Sequence, residues 1–227
     1  FYDFVSRQGG DVIDLCALLR HNGDRRAAIR ELARLTGTEQ EPTQDWMRAT
    51  NSLNNRIQKW HEALLASPEH LEYLHARRIT DDTISSLKIG YTGRGEPDGY
   101  CARRIAIPYW KNGYIYSYVA RSSQAEQSPK YVKRRNDDIS DRAAPWGLHT
   151  LDRTDKPLII AEGAFDAISF YQEGYPVLAT MGGHFSREQL KTVLAAAQNY
   201  SCVYLTFDAD GPGTEFTLEL AKILFSK

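Results

Sequence analysis

Two stretches decide the fold: PLIIAEGAFDAISFY at residues 157–171 and CVYLTFDADGPGTEF at residues 202–216. In each, a short apolar run ends at a carboxylate, and a glycine follows within three residues. Such a run, bounded by turn residues, is typical of a strand buried on both faces of a parallel sheet. We therefore predict strands at 158–161 and 203–207, and a helix at 164–171.

A third strand and a further helix are predicted between these stretches. Residues 177–180 suit a strand, and Ser186 with Gln189 forms a capping box at a helix start. Apolar residues then recur at i, i+3, i+4 and i+7, the spacing of one helical face: Leu190, Val193, Leu194 and Ala197. Strands that alternate with helices predict an α/β fold with a parallel sheet and right-handed crossovers.

Both acidic motifs follow predicted strands, and the carboxyl ends of parallel strands form the ligand crevice of such a sheet. We expect four carboxylates to converge there: Glu162, Asp166, Asp208 and Asp210. Neighbouring carboxylates repel unless they are protonated or neutralised by a cation. Oxygen ligands without a nearby Cys or His pair favour Mg²⁺ or Mn²⁺ over Zn²⁺. A helix cap and an ordinary turn are the plainer alternative, but two such motifs after two buried strands favour a metal site.

AEGAFDAIS (161–169) and TFDADGPG (206–213) resemble the Toprim domain, the metal-binding α/β module of DnaG-type primases, topoisomerases and some nucleases. The resemblance implies a Rossmann-like parallel sheet with helices on both faces. It also implies that Glu162, Asp208 and Asp210 are catalytic, and that Asp166 joins them in metal binding. The family's primases carry a further acidic motif downstream of this point. We therefore expect residues 153–227 to be a truncated Toprim domain in a fragment, as the start at Phe1 also suggests.

The composition is that of an ordinary globular protein, with 42% apolar and 25% charged residues and a formal net charge of −1. Any argument for nucleic-acid binding must therefore be local. Cys16, Cys101 and Cys202 are odd in number and far apart, which indicates neither a disulfide framework nor a CxxC metal site and fits a reducing cytoplasm. With no 18-residue apolar run and no basic-then-apolar leader, we expect neither a membrane span nor a secretory signal.

The segment ARRIAIPYWKNGYIYSYVARS, residues 102–122, predicts a β-hairpin around an Asn-Gly turn. A two-residue turn pairs Lys111 with Tyr114 and, counted outward, Arg104 with Arg121. Like charges that face each other destabilise a ladder unless an anion lies near them. Splaying of both side chains into water is the plainer alternative.

A local excess of positive charge surrounds this hairpin. From residue 101 to 142, nine Lys or Arg oppose four acidic residues. Interleaved with aromatic residues, such an excess is typical of a groove that follows a phosphate backbone. Trp110 and Tyr131 are candidates for base stacking.

Together with the PKY at 129–131 and the WGL at 146–148, the hairpin resembles the basic subdomain that precedes Toprim in DnaG-type primases. The resemblance implies that four basic residues contact the template or the incoming nucleotide: Arg104, Arg121, Lys130 and Arg142. Arg77 and Arg78, farther upstream, are expected to be solvated.

The N-terminal stretch FYDFVSRQGGDVIDL resembles the end of the zinc-binding domain of DnaG-type primases, but Asp3 and Ser6 stand where the family has its last two metal cysteines. We expect residues 1–37 to be a degenerate, zinc-free remnant of that domain. Residues 38–58 are polar and predict a linker. Residues 59–152 are then expected to form a smaller α+β basic subdomain.

The resemblance as a whole implies a DNA primase that joins ribonucleotides on single-stranded DNA and partners a replicative helicase, fused or separate. Divalent ions at the carboxylates would bridge the triphosphate and activate the 3′-hydroxyl. Glu162 would bind an ion or act as general base. A Toprim-type nuclease or topoisomerase-like enzyme, and a non-catalytic DNA-binding module, remain alternatives. The basic hairpin argues against the first two, and a topoisomerase would also need a nucleophilic tyrosine elsewhere.

Overall fold

The computed structural model describes residues 2–3, 8–25, 27–28, 31–32, 44–96, 99–111, 113–124, 126–134, 144–182 and 184–225. The chain divides into two compact units, residues 1–44 and 45–227. No helix in the described part of the chain is both long enough and apolar enough to span a membrane.

The N-terminal unit contains two short antiparallel strands, Tyr2–Asp3 (β1) and Gln8–Gly9 (β2), and the helix Val12–Arg20 (α1). Asp11 begins the helix with a capping box: its carboxylate accepts from the amide of Asp14, and the Asp14 carboxylate accepts from the amide of Asp11.

The linker predicted at 38–58 is wrong over residues 44–58, because helix α2 runs from Gln44 to Leu65. Residues 38–43 lie outside the described part of the chain. Apolar side chains recur along α2 at helical spacing and are buried: Leu53, Ile57, Trp60 and Leu64. Polar residues between them, such as Asn55, Gln58 and Lys59, are exposed on the solvent side of an amphipathic helix. Their polarity is therefore that of a helix surface and not that of a linker.

Two short helices follow, Pro68–His75 (α3) and Asp81–Leu87 (α4). Helix α3 ends in a Schellman motif, in which the amide of Ile79 donates to Leu74 O and the amide of Arg78 donates to His75 O. Arg78 takes the left-handed conformation of that motif, with φ 60°. The loop between α3 and α4 therefore turns sharply just after Arg77.

An antiparallel sheet follows, with strands Gly90–Tyr91 (β3), Arg104–Lys111 (β4), Tyr114–Ser122 (β5) and Tyr131–Lys133 (β6) in the order β3-β4-β5-β6. The predicted hairpin is confirmed, and Lys111 pairs with Tyr114 as expected. One face of the sheet packs on α2 through a cluster that includes Ala106 and Tyr118. The other face, with Ile107 and Val119, joins the core of the C-terminal sheet.

The register predicted for the rest of the hairpin is wrong. Pairing shifts by one residue next to Tyr109, which leaves Tyr116 as the extra residue of a β-bulge. Beyond the bulge, Arg121 lies opposite Ile105 and not opposite Arg104. Because successive side chains alternate between faces, the two arginines lie on opposite faces of the sheet.

The C-terminal sheet is parallel, as predicted. Its strands are Leu158–Ala161 (β7), Val177–Ala179 (β8) and Val203–Thr206 (β9), in the order β8-β7-β9. Helix α5, Ala164–Gln172, packs on one face. Helices α6, Arg187–Ala197, and α7, Gly211–Phe225, pack on the other. The α/β class with helices on both faces is confirmed.

Trp146 links the two sheets. Its backbone forms an antiparallel β-bridge with Ala179, the last residue of β8. Its fully buried indole donates a hydrogen bond to Pro108 O on β4 at 3.0 Å. The continuous core around it holds the antiparallel sheet against the carboxyl edge of the parallel sheet.

Candidate metal and nucleic-acid site

A cleft of about 400 Å³ lies where the carboxyl edge of the parallel sheet meets the antiparallel sheet. Three of its lining side chains are carboxylates that follow β7 and β9 or begin α5: Glu162, Asp166 and Asp208. Three others are cations from the loop after α3, from β5 and from the start of β6: Arg77, Arg121 and Lys130. The cleft therefore has an acidic wall and a basic wall.

The pairing of β7 with β9 brings two carboxylates of the acidic wall next to each other. β7 and β9 are neighbours, with Ala161 opposite Thr206, so Glu162 and Asp208 leave the sheet side by side. The amide of Asp208 lies 3.4 Å from Glu162 Oε2 and donates to it. Asp166 lies in the first turn of α5, where the helix dipole favours a negative charge.

Gly163 makes room for the Asp166 carboxylate. A Cβ atom added at Gly163 would lie 2.1 Å from Asp166 Oδ2, well inside van der Waals contact. A side chain at residue 163 would therefore push the Asp166 carboxylate out of its present position, a constraint that the sequence alone did not indicate.

Asp210, the fourth predicted carboxylate, is engaged differently. Its Oδ1 accepts a hydrogen bond from the amide of Gly213 at 2.8 Å and caps the start of α7. It is not among the described residues that line the cleft. The structure thus brings three of the four predicted carboxylates together in one cleft and places Asp210 at the adjacent helix start.

The donor chemistry of the acidic wall fits a hard divalent cation. None of the described residues lining the cleft is Cys or His, so the ligand atoms on offer are oxygens. The ligand atoms of the three carboxylates do not all lie within 4.8 Å of one another. Among the described residues, only the side chains of Cys16, His21 and Glu31 lie that close together. Widely set carboxylates suit an ion that keeps several of its waters.

The cluster in the N-terminal unit is accounted for by ion pairing. The Glu31 carboxylate lies 2.7 Å from Arg20 Nη1 and 2.6 Å from His21 Nε2. Both oxygens of Glu31 are thus in contact with side chains of the same unit.

Aromatic side chains hold the basic wall. Arg121 Nε donates to Tyr131 Oη at 3.1 Å, and its Nη1 donates to the hydroxyl of Tyr73. The Arg121 Cζ lies 4.3 Å from the ring centroid of Phe165, a cation–π contact. Tyr131 lines the cleft beside Lys130, so one of the two predicted stacking residues lies at the site.

Arg77 is exposed to solvent, as expected, and its side chain also lines the cleft, which was not expected. Its Cζ lies 3.8 Å from the ring centroid of Tyr73 and 5.3 Å from that of Phe165. Tyr73 precedes Arg77 by four residues, and an aromatic–arginine pair at i, i+4 near a helix end could have indicated an ordered side chain. The second contact, from helix α5, depends on the tertiary fold.

Arg104 does not line the cleft. It is 4% exposed, and its Nη1 donates to Pro129 O at 2.6 Å and to Lys130 O at 3.3 Å. Burial lowers the pKa of this guanidinium. Arg104 therefore supports the backbone that carries Lys130. Arg142 lies outside the described residues.

Trp110, the other predicted stacking residue, is also away from the cleft. Its indole donates to Leu87 O at 3.1 Å, and its ring packs against the α2 side of the antiparallel sheet. The Trp110 side chain of β4 therefore contributes to the hydrophobic core.

Comparison with known proteins gives concordant results. The Toprim-like family matches residues 159–227. The DNA primase of Staphylococcus epidermidis is 29% identical over 211 residues, which is 74% of this chain and 34% of that protein. The DNA primase of Rickettsia felis is 23% identical over 261 residues, covering 96% of this chain and 43% of that protein. The chain thus spans between a third and a half of the length of these relatives.

Solved structures share the fold. The Aquifex aeolicus primase, with its zinc-binding and RNA polymerase domains, matches with a TM-score of 0.68 at 20% identity, over 96% of this chain and 62% of that chain. A DnaG primase catalytic domain bound to single-stranded DNA matches with a TM-score of 0.61 at 18% identity, over 77% and 64% of the two chains. The chain therefore has the fold of a DnaG-type primase core, and its residues 159–227 are similar to the Toprim-like family.

Proposed function

We propose that the chain is the catalytic part of a DNA primase, which makes short RNA primers on single-stranded DNA by metal-dependent nucleotidyl transfer. The observation that carries the proposal is the cleft in which three carboxylates face three cations. Primases of comparable sequence and fold, one of them solved with single-stranded DNA, support it.

In this proposal the acidic wall holds Mg²⁺ or Mn²⁺ through Glu162, Asp166 and Asp208. A bound ion of this kind lowers the pKa of a hydroxyl nucleophile and neutralises charge on a triphosphate. Asp210 joins the catalytic group if its carboxylate exchanges the contact with Gly213 for a water or an ion, a small change of side-chain rotamer. Glu162 holds an ion or takes the proton of the attacking 3′-hydroxyl as general base.

The basic wall binds phosphates. Arg121 and Lys130 are proposed to hold the template backbone or the incoming ribonucleoside triphosphate, and Arg77 is proposed to share this role because it lines the same cleft. A guanidinium fixed against aromatic rings loses little rotamer freedom when it binds a phosphate, which favours affinity. Arg142 stays a candidate for the same role, and Arg104 is proposed to act only by supporting Lys130.

The proposal extends to partners and location. A primase of this kind works with a replicative helicase, in the same chain or separate, and we place it in the cytoplasm. Its three cysteines are free thiols, which suits a reducing compartment.

De novo synthesis on single-stranded DNA with ribonucleotides and Mg²⁺ or Mn²⁺ tests the proposal. Asp208→Ala and Glu162→Ala are each expected to lower the rate at least about 100-fold, since each removes a group from the metal-binding wall. Glu188→Ala, which removes an exposed carboxylate from the first turn of α6, is the matched control and should keep full activity.

Two other outcomes would replace the proposal. Metal-dependent cleavage of the DNA, lost in the same two variants, would assign the chain to the Toprim-type nucleases or topoisomerase-like enzymes. Salt-sensitive DNA binding without synthesis or cleavage, unchanged by either variant and found also in a longer chain that includes the downstream acidic motif, would make it a non-catalytic binding module.

A further inference from the structure

Helix α5 touches the loop after α3 at two points seven residues apart, and therefore on one face of the helix. At its start, the Phe165 ring lies against the guanidiniums of Arg77 and Arg121. At its end, the side-chain amide of Gln172 reaches the backbone of the loop. Gln172 is not among the described residues that line the cleft.

The amide of Gln172 bonds the loop on both sides of its turn. Its Oε1 accepts from the amide of Thr80 at 2.9 Å, and its Nε2 donates to Arg78 O at 3.0 Å. Both bonded residues are within three positions of Arg77. The single side chain of Gln172 thus bonds one backbone N–H and one backbone C=O of the loop that carries Arg77.

The loop has a local reason to need such a clamp. Arg78 has a φ of 60°, a conformation that is unfavourable for a residue with a Cβ atom and persists when its surroundings enforce it. The two backbone bonds of the Schellman motif also hold this conformation, and Gln172 adds two more bonds to the same turn. Since Arg77 directly precedes Arg78, a turn that has lost the Gln172 bonds would hold the Arg77 side chain less firmly against the Tyr73 ring.

We propose that Gln172 is a positioning residue for the nucleic-acid site: it holds the turn at Arg78 so that Arg77 stays at the cleft. The ligand that Arg77 contacts, a phosphate of the template or of the nucleotide, rests on the proposed function. The clamp itself does not. Helix α5, which carries Asp166 of the acidic wall, thereby also holds Arg77 of the basic wall in place.

A double-mutant cycle tests the inference with Gln172→Leu, Arg77→Ala and the double variant. The readout is the affinity for a fluorescently labelled single-stranded oligodeoxythymidine, measured by anisotropy over a range of salt concentrations, which needs no catalysis. Gln172→Leu is expected to weaken binding about 3- to 10-fold, the effect of losing one ordered contact, and to reduce the salt slope as Arg77→Ala does. In the Arg77→Ala background the second substitution should have no further effect.

Gln198→Leu removes an exposed amide at the end of α6 and serves as the control, with unchanged binding expected. If Gln172→Leu weakens binding by the same factor with and without Arg77, its role is general stability and the inference is overturned. In primer synthesis, the expected signature is a raised KM for template or nucleotide with little change in kcat.

Amide hydrogen exchange separates failure of the inference from failure of the proposed function. The Thr80 amide donates to Gln172, so its exchange should accelerate in Gln172→Leu even if the chain neither binds DNA nor makes primers. An unchanged exchange rate at Thr80 overturns the clamp whatever the activity of the protein.

Discussion

His149 is expected to make the stability of this protein fall steeply below neutral pH. It lies in the 3₁₀ turn Leu148–Thr150, with its ring centroid 5.5 Å from those of both Trp146 and Tyr171. Neither ring nitrogen has a hydrogen-bond partner among the described residues. The pKa of His149 is lowered from 6.5 to about 4, chiefly by burial and also by the charge of Arg153, while the charge of Asp152 opposes the change.

The sign and size of the effect follow from proton linkage. Between pH 6.5 and about 4 the unfolded chain binds a proton at His149 and the folded protein does not. The contribution of the neutral ring to stability is therefore complete above pH 6.5 and is lost as the pH falls through that window. At about 1.4 kcal/mol for each pH unit, the loss is roughly 3 kcal/mol at most, a large share of the 5–15 kcal/mol typical of a domain.

Urea unfolding of the wild type and His149→Phe at pH 7 and pH 4.5, followed by tryptophan fluorescence, measures this loss. At pH 7 the variant should be as stable as the wild type or more so, because phenylalanine has a similar shape and removes two unpartnered buried nitrogens. At pH 4.5 the advantage of the variant should have grown by about 2–3 kcal/mol. Carboxylates that titrate in the same range affect both proteins and cancel in the difference.

His75→Phe provides the comparison, since His75 is exposed and its Nε2 lies within hydrogen-bonding distance of Asp81 Oδ1, at 2.8 Å. It should show no comparable gain on acidification. If His149→Phe loses as much stability as the wild type between pH 7 and pH 4.5, His149 does not stay neutral in the folded protein and the reasoning fails.

Two further substitutions test local geometry. Arg78→Gly should raise the free energy of unfolding by about 0.5–1 kcal/mol, because glycine adopts the left-handed conformation at the end of α3 without a steric cost. Thermal unfolding would show this, and an unchanged or lower Tm would contradict it. Gly163→Ala should lower the kcat of metal-dependent synthesis at least about 10-fold while the protein stays folded. The Cβ atom of the new alanine would displace the Asp166 carboxylate. Gly211→Ala adds the same atom where nothing lies within 4 Å, and full activity is expected there.

The parallel sheet and its helices could be predicted because their signals are local. The apolar run at 158–161 needs burial on both faces, and the capping box at Ser186 and Gln189 is present in the structure as predicted. The juxtaposition of Glu162 and Asp208 also follows from topology, since neighbouring parallel strands end at one edge.

Other features depend on contacts distant in sequence. The bulge at Tyr116 shifts the hairpin register, and nothing in the alternation of the strands marks its position. Arg104 and Arg121 looked equivalent as basic strand residues, but the bulge sends one to the α2 face and the other to the cleft. The helix over residues 44–58 was missed because the average polarity of the segment hid its apolar stripe.

The aromatic residues of the basic wall keep the two walls of the cleft apart. Among the described residues, no ion pair within 4.0 Å joins Arg77, Arg121 or Lys130 to a cleft carboxylate. Opposite charges around one cleft would lower their energy by pairing, unless other contacts hold them. Phe165 and the tyrosines beside it supply cation–π contacts and hydrogen bonds that compensate the guanidiniums where they stand. Under the proposed function, this arrangement leaves the carboxylates for a cation and the guanidiniums for phosphate oxygens, so a metal-bound triphosphate would pair with both walls at once.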